Sequence, residues 1–230
     1  MRFWKSILIA GCLVSVVGLG YAKMVVQSDP FSRLFEGNKV FVGGKPSPED
    51  FSLERRMELA KGQHPLATVL TCSDSRVVPE FIFDKGLGDI FVVRVAGNVV
   101  EPTTLGSIEY AVEHLHTPLL VIMGHSQCGA VKATLETNGK PEGNIGAILK
   151  KIMPAVKTAK RAHKGPDETL DIAVHENIRN TYNDIMKNSK IIRHLVDEGK
   201  LQVMGAEYYL ASGKAEPIDL AGPWKTHKHE

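Results

Sequence analysis

The sequence predicts an α/β fold: a mostly parallel central β-sheet flanked by helices, with a helical arm at the N-terminus. Three apolar runs of strand length carry this expectation, Ala67–Thr71 (ATVLT), Ile90–Val95 (IFVVRV) and Leu119–Gly124 (LLVIMG). Their consecutive apolar and β-branched positions are the pattern of strands covered on both faces. The stretches between them have helical spacing, and alternation of strands with helices implies parallel pairing through right-handed crossovers.

The elements follow in order. Ser28–Val42 (SDPFSRLFEGNKVFV) reads as the helical arm, with Asp29 as cap and Pro30 in the first turn. Gly43-Gly44-Lys45-Pro46 ends it; this Gly-Gly-Lys lacks the spacing of a phosphate loop and reads as a turn. Leu53–Lys61 is a short charged helix closed by Gly62. The first strand then delivers Cys72. Pro79–Phe83 is a helical turn, and Ile90–Val95 a second buried strand. Thr103–Leu115 places Leu105, Ile108, Ala111, Val112 and Leu115 at helical spacing, with His114 and His116 favouring its C-terminal end. The third strand delivers His125, and the next helix begins at Cys128.

The remainder reads as mainly helical. Ile145–His163 contains Pro154, which should kink it. Leu170–Asn188 is a long polar helix whose His175-Glu176 pair lacks the second histidine of a zinc-protease motif. Leu201–Leu210 (LQVMGAEYYL) is the last strand, returning through Ser212-Gly213 to Ile218. His227 and His229 belong to a solvated tail.

At 230 residues and 43% hydrophobic content, the chain can bury one core, and residues 23–230 are expected to form a single domain. Residues 1–22 are set apart. The basic start Met1–Lys5, the apolar run Ile7–Leu19 and the small residues around Ala22 follow the pattern of a secretory signal peptide, which implies export, in bacterial terms to the periplasm. Two alternatives stay open: an uncleaved membrane anchor, and lipidation at Cys12 within Ile9-Ala10-Gly11-Cys12. Cleavage would remove Arg2 and Lys5, leaving 28 − 2 = 26 basic against 26 acidic residues. A neutral mature domain gives no reason to invoke nucleic acid, nor a membrane for the domain itself.

Of the three cysteines, Cys72 and Cys128 would remain in the mature chain. Cys72-Ser73-Asp74-Ser75-Arg76 follows the first strand, and His125-Ser126-Gln127-Cys128-Gly129 follows the third. Ligands of open α/β sheets bind beyond the carboxyl ends of the strands, so the two segments can converge. Two thiolates and an imidazole are a donor set that suits zinc, and His-x-x-Cys lets a strand end and a first helical turn share one ion. Asp74 is the fourth candidate ligand. Alternatively, Arg76 forks onto Asp74 and holds it off the ion, leaving the open position to water. Zinc brings the pKa of such water to about 7, a magnitude established with carbonic anhydrase as the reference case, and Asp74 fixed by Arg76 could orient the resulting hydroxide. A disulfide between Cys72 and Cys128 is the plainer reading of the pair in an oxidising compartment. It leaves Asp74, Arg76 and His125 without a role.

The paired segments Cys72-Ser73-Asp74-Ser75-Arg76 and Gly124-His125-Ser126-Gln127-Cys128-Gly129-Ala130 resemble the two zinc-binding signatures of the β-class carbonic anhydrases. The similarity extends through Arg94-Val95-Ala96-Gly97-Asn98 and Ser107-Ile108-Glu109-Tyr110-Ala111. The resemblance implies a β-carbonic anhydrase-like fold and reversible hydration of carbon dioxide to bicarbonate through a zinc-bound hydroxide. It also implies one Zn2+ per subunit and a homodimer or homotetramer with sites near the subunit interface. It makes Cys72, His125 and Cys128 the permanent ligands, and Asp74 a residue that either ligates zinc or pairs with Arg76. Where family members with an inhibitory bicarbonate pocket carry a tryptophan, this chain has Phe41, after Asn38-Lys39-Val40. That departure implies a preference for the open form. Tyr110, His114 and His116 are candidate proton-shuttle or pocket residues. A sulfur-containing linear substrate, or a zinc-stabilised binding module with Asp74 as closed fourth ligand, are the competing readings of the same residues.

Overall fold

A computed structural model describes residues 29–137 and 143–222 of the chain. The proposed signal peptide, Cys12, His227 and His229 lie outside these residues. A five-stranded sheet occupies the centre, in the order β2-β1-β3-β4-β5. The strands are β1 (Ala67–Thr71), β2 (Ile90–Arg94), β3 (Leu119–His125), β4 (Gln202–Tyr208) and β5 (Ala215–Ile218). The first four run parallel, and β5 pairs antiparallel with β4.

The helices are α1 (Pro30–Val42), α2 (Leu53–Leu59), α3 (Pro79–Ile82), α4 (Pro102–Glu113), α5 (Gly129–Thr137), α6 (Ile145–Lys160), α7 (Pro166–Asn188) and α8 (Lys190–Asp197). Among the described residues, none is long and apolar enough to cross a membrane. The arm α1 starts where the sequence places it: Asp29 accepts from the Ser32 amide at 3.1 Å, and Pro30 needs no amide partner in the first turn. Its Asn38 is buried and clips the arm down, donating to the carbonyls of Ile82 (3.0 Å) and Gly213 (2.9 Å) and accepting from the Ala215 amide (2.8 Å).

Every residue of β1 and β3 is buried, as the unbroken apolar runs require. Alternation sends Leu70, Leu120 and Ile122 into one core layer with Ile152, Val174 and Ile178 of α6 and α7. Val69, Leu119, Val121 and Met123 face the other, where Leu34, Ile82 and Phe83 cover them. Burying each such side chain contributes about 1.5–3 kcal/mol, so the two central strands are the best-anchored part of the fold.

Several expectations are corrected. The second run forms β2, an edge strand with Arg94 exposed, because the chain crosses back over β1 before laying down β3. Helix α2 stops at Leu59, with Ala60 rather than Gly62 at its C-cap. Helix α6, with Pro154 inside it on the exposed side, ends at Lys160 rather than His163. Helix α7 begins a turn earlier, at Pro166, and α8 is a separate helix capped by Ser189, whose hydroxyl accepts from the Ile192 amide. His175 pairs with Glu207 of β4 at 2.5 Å, both buried, while its neighbour Glu176 accepts from Arg179.

Candidate metal centre

The chain leaves β1 towards β2 on one side and returns to place β3 on the other, so the ends of β1 and β3 flank a switch point in the sheet. Cys72 is the first residue after β1, and His125 is the last of β3. Between His125 and Cys128 the chain reverses through Gln127, held at φ +55°, so that α5 starts immediately after Cys128. Ser126 is tied into the sheet end from both sides: its amide donates to Tyr208 O at 2.9 Å, and its hydroxyl accepts from the Leu210 amide at 3.0 Å.

The result is a convergence of Cys72 Sγ, a His125 ring nitrogen and Cys128 Sγ, with donor atoms within 4.8 Å of one another and all three residues buried. His125 has no solvent exposure. Its Nδ1 lies 2.9 Å from the Ser126 carbonyl, which can only accept, so Nδ1 carries the proton and Nε2 presents a bare lone pair. That Nε2 has no hydrogen-bond partner. A buried lone pair left without a donor, aimed among two sulfurs, fits a divalent ion of zinc's ligand preference. Both cysteines are free rather than joined.

The two thiols share one proton, and the pair favours negative charge on Cys72. The Cys72 thiol is pulled well below its ordinary value, chiefly by a hydrogen bond from Cys128, with the Gly97 amide adding to it against burial. Cys128 is pushed up, because the proton it shares with Cys72 stays on it and because it is buried. The amides of Val131 and Ala130, in the first turn of α5, work in the opposite direction at Cys128.

Asp74 stands beside this group. Its Oδ2 is 3.8 Å from His125 Nε2, and Arg76 grips it at two points, Nε to Oδ1 at 2.9 Å and Nη2 to Oδ2 at 2.8 Å. The Arg76 amide donates to Oδ1 as well, at 3.0 Å. This fork, before any other influence, holds the Asp74 carboxyl well below the usual carboxylate range.

Two further residues support the site, and the sequence assigns neither of them that task. Arg94, opposite Thr71 in the β1–β2 register, donates to the carbonyls of Cys72 (3.1 Å) and Asp74 (2.6 Å), bracing the loop that holds both. Asn177 of α7, buried, donates to Gly97 O at 2.7 Å. Only the register and the helix packing bring them there. By contrast, Tyr110, His114 and His116 sit where α4 leads into the start of β3. A seven-residue strand separates that end from His125, about 20 Å, so within one chain they do not reach the centre.

The comparisons with known proteins point one way. The sequence profile of the family described as carbonic anhydrase matches residues 67–215. "Carbonic anhydrase 2" of Mycobacterium tuberculosis is 41% identical over 196 residues, 84% of this chain and 93% of that protein. The carbonic anhydrase of Mycolicibacterium smegmatis is 38% identical over 189 residues, covering 81% of this chain and 90% of that one. Among solved structures, a β-carbonic anhydrase of Aspergillus fumigatus superposes with a TM-score of 0.68 at 29% identity, covering 85% of this chain and 93% of that chain. One of two tetrameric β-carbonic anhydrases of Sordaria macrospora gives 0.60 at 27% identity, covering 82% and 96%. Fold, converging donors and relatives agree, and the chain belongs to the carbonic anhydrase family, in its β-class.

Proposed function

We propose that the chain holds one zinc ion per subunit through Cys72, His125 and Cys128 and uses it to interconvert carbon dioxide and bicarbonate. The observation that carries this reading is the bare, buried Nε2 of His125 set among two sulfur donors. Zinc held there supplies Lewis acidity that makes water a competent nucleophile near neutral pH.

The chain's own residues do the rest. Cys72 and Cys128 provide the charge that retains a divalent cation, and the Ser126 carbonyl fixes the His125 tautomer so that its free nitrogen faces inward. Asp74, kept ionised by Arg76, offers an acceptor beside the metal position. It can take a proton in a hydrogen bond from an attacking oxygen and so turn a lone pair of that oxygen towards carbon. Arg76, more than half exposed, brings a positive charge to the mouth where the anionic product forms.

Assembly into a homodimer or homotetramer is part of the same reading. It is supported by the tetrameric relative and by the exposed apolar side chains of Phe51, Leu53, Met57 and Phe81. Export through residues 1–22 extends it to carbon dioxide that has crossed a membrane, converted to an anion that does not cross back.

The deciding experiment is metal content together with stopped-flow hydration, before and after chelation. One zinc per chain with hydration lost on chelation and regained on zinc addition is the expected result. A folded chain that holds zinc and hydrates no carbon dioxide would overturn the catalytic reading.

A further inference from the structure

The turn Ala96–Asn98 follows β2 and lies under Cys72. Its amide at Gly97 donates to Cys72 Sγ across 3.3 Å. The turn can offer that amide only in an unusual conformation: Gly97 has φ +69° and Asn98 φ +46°, two successive left-handed residues. A side chain at Gly97 would be strained as well, since a Cβ there would stand 2.6 Å from Ile152 Cδ1 and force it to shift. Left-handed backbone at a non-glycine residue persists where its surroundings hold it.

The surroundings are on α7. Asn177 Nδ2 donates to Gly97 O at 2.7 Å, and Thr181, one helical turn on, donates to Asn98 O at 3.2 Å. Both side chains are buried, Asn177 almost completely. Within the turn, the Asn98 amide closes back on Val95 O at 2.8 Å. Each carbonyl of the left-handed pair is therefore gripped by α7, and the amide between them and β2 is aimed at sulfur.

We infer that Asn177 is a positioning residue for the metal centre: through Gly97 it holds a neutral N–H donor on the Cys72 sulfur and so sets the strength and placement of that ligand. This rests on Cys72 being a metal ligand, as proposed above. A hydrogen bond to a ligating thiolate draws off part of its charge and fixes its direction. Outer partners of this kind are worth 10–100-fold in metal affinity, roughly, in metalloproteins generally.

The test uses the full chain. In the cadmium-113 form of the parent protein, the Gly97 amide proton should show scalar coupling to the metal through the N–H···S contact; a resolved Gly97 signal without coupling overturns the inference. In Asn177→Ala, zinc competition against a chelator should show affinity weakened about 10–100-fold. The sulfur-to-metal charge-transfer band of the cobalt form should move to lower energy, as the sulfur regains charge. Thr181→Val, which frees only the Asn98 carbonyl, should give a smaller change in the same direction, and it serves where Asn177→Ala fails to fold. Folded variants with parental affinity and an unmoved cobalt band overturn the inference. A parent chain that binds no stoichiometric zinc overturns the metal-centre reading instead, so the two failures are distinguishable.

Discussion

Arg76 forks onto Asp74 through two parallel hydrogen bonds, 2.9 and 2.8 Å long, two residues along the same loop, while Asp74 Oδ2 stays 3.8 Å from His125 Nε2. The carboxylate thus lies near the metal position with its charge already engaged. Replacing Arg76 by Ala removes the fork, and Arg76→Lys keeps a charge without the paired geometry. Each variant is expected to keep its zinc and to lose turnover, by about 100-fold or more for Arg76→Ala and for Asp74→Asn, the scale at which positioned proton-handling groups act. Stopped-flow hydration with zinc measured on the same samples checks it; full turnover in either variant would remove the pair from the mechanism.

The same fork makes a statement about pH. Asp74 has its folded pKa lowered, first by the Arg76 side-chain bonds, so its stabilising contribution is present above the unfolded value of about 3.9 and is lost as pH falls through the lower folded value. No titration of Asp74 should therefore occur between pH 5 and 9. Its carboxyl carbon-13 shift is expected to stay flat over that range in the parent and to titrate higher in Arg76→Ala. An inflection near neutral pH in the parent would show that the fork is not closed in solution.

Metal removal should be felt beyond activity. Cys72 and Cys128 are both nearly fully buried and sit at the ends of different segments, so an ion joining them cross-links the end of β1 to the start of α5. Chelation is expected to lower the thermal midpoint by several degrees and zinc to restore it. His125→Ala and Cys128→Ala should show the low midpoint with no response to added zinc. A midpoint indifferent to metal in the parent would argue that the three donors do not share an ion.

The legibility of these features in the sequence was uneven for physical reasons. Cys72 and His125 could be placed because each ends an unbroken apolar run, and a buried parallel strand delivers its next residues to one edge of the sheet. Arg94 could not be assigned a task, since an arginine closing a strand is unremarkable until the β1–β2 register sets it against Thr71. Asn177, Thr181 and His175 lie on a helix whose composition is polar, and nothing in its spacing separates the polar residues that α7 buries from those it exposes. The edge position of β2 depends on strand order, which the order of elements along the chain does not specify. Tyr110, His114 and His116 were near the motifs in sequence and lie at the opposite end of β3 in space.

Behind the site, helix α7 packs closely on Gly124, the residue before His125. A Cβ there would lie 2.8 Å from Ile178 Cδ1 and 3.2 Å from Val174 Cγ1, because α7 rests directly on β3. Gly124→Ala should force Ile178 aside and cost about 1–3 kcal/mol, the usual range for overpacking a filled core. Since the strand end carries His125, the displacement should also weaken zinc retention, which a distant core defect of equal cost would not do. Trimming the obstacle by Ile178→Ala in the Gly124→Ala background is expected to recover part of both losses relative to the sum of the single changes. Urea unfolding and chelator competition on the four proteins of this cycle measure the coupling. Strict additivity would mean that α7 does not bear on the end of β3 in the way the contact implies.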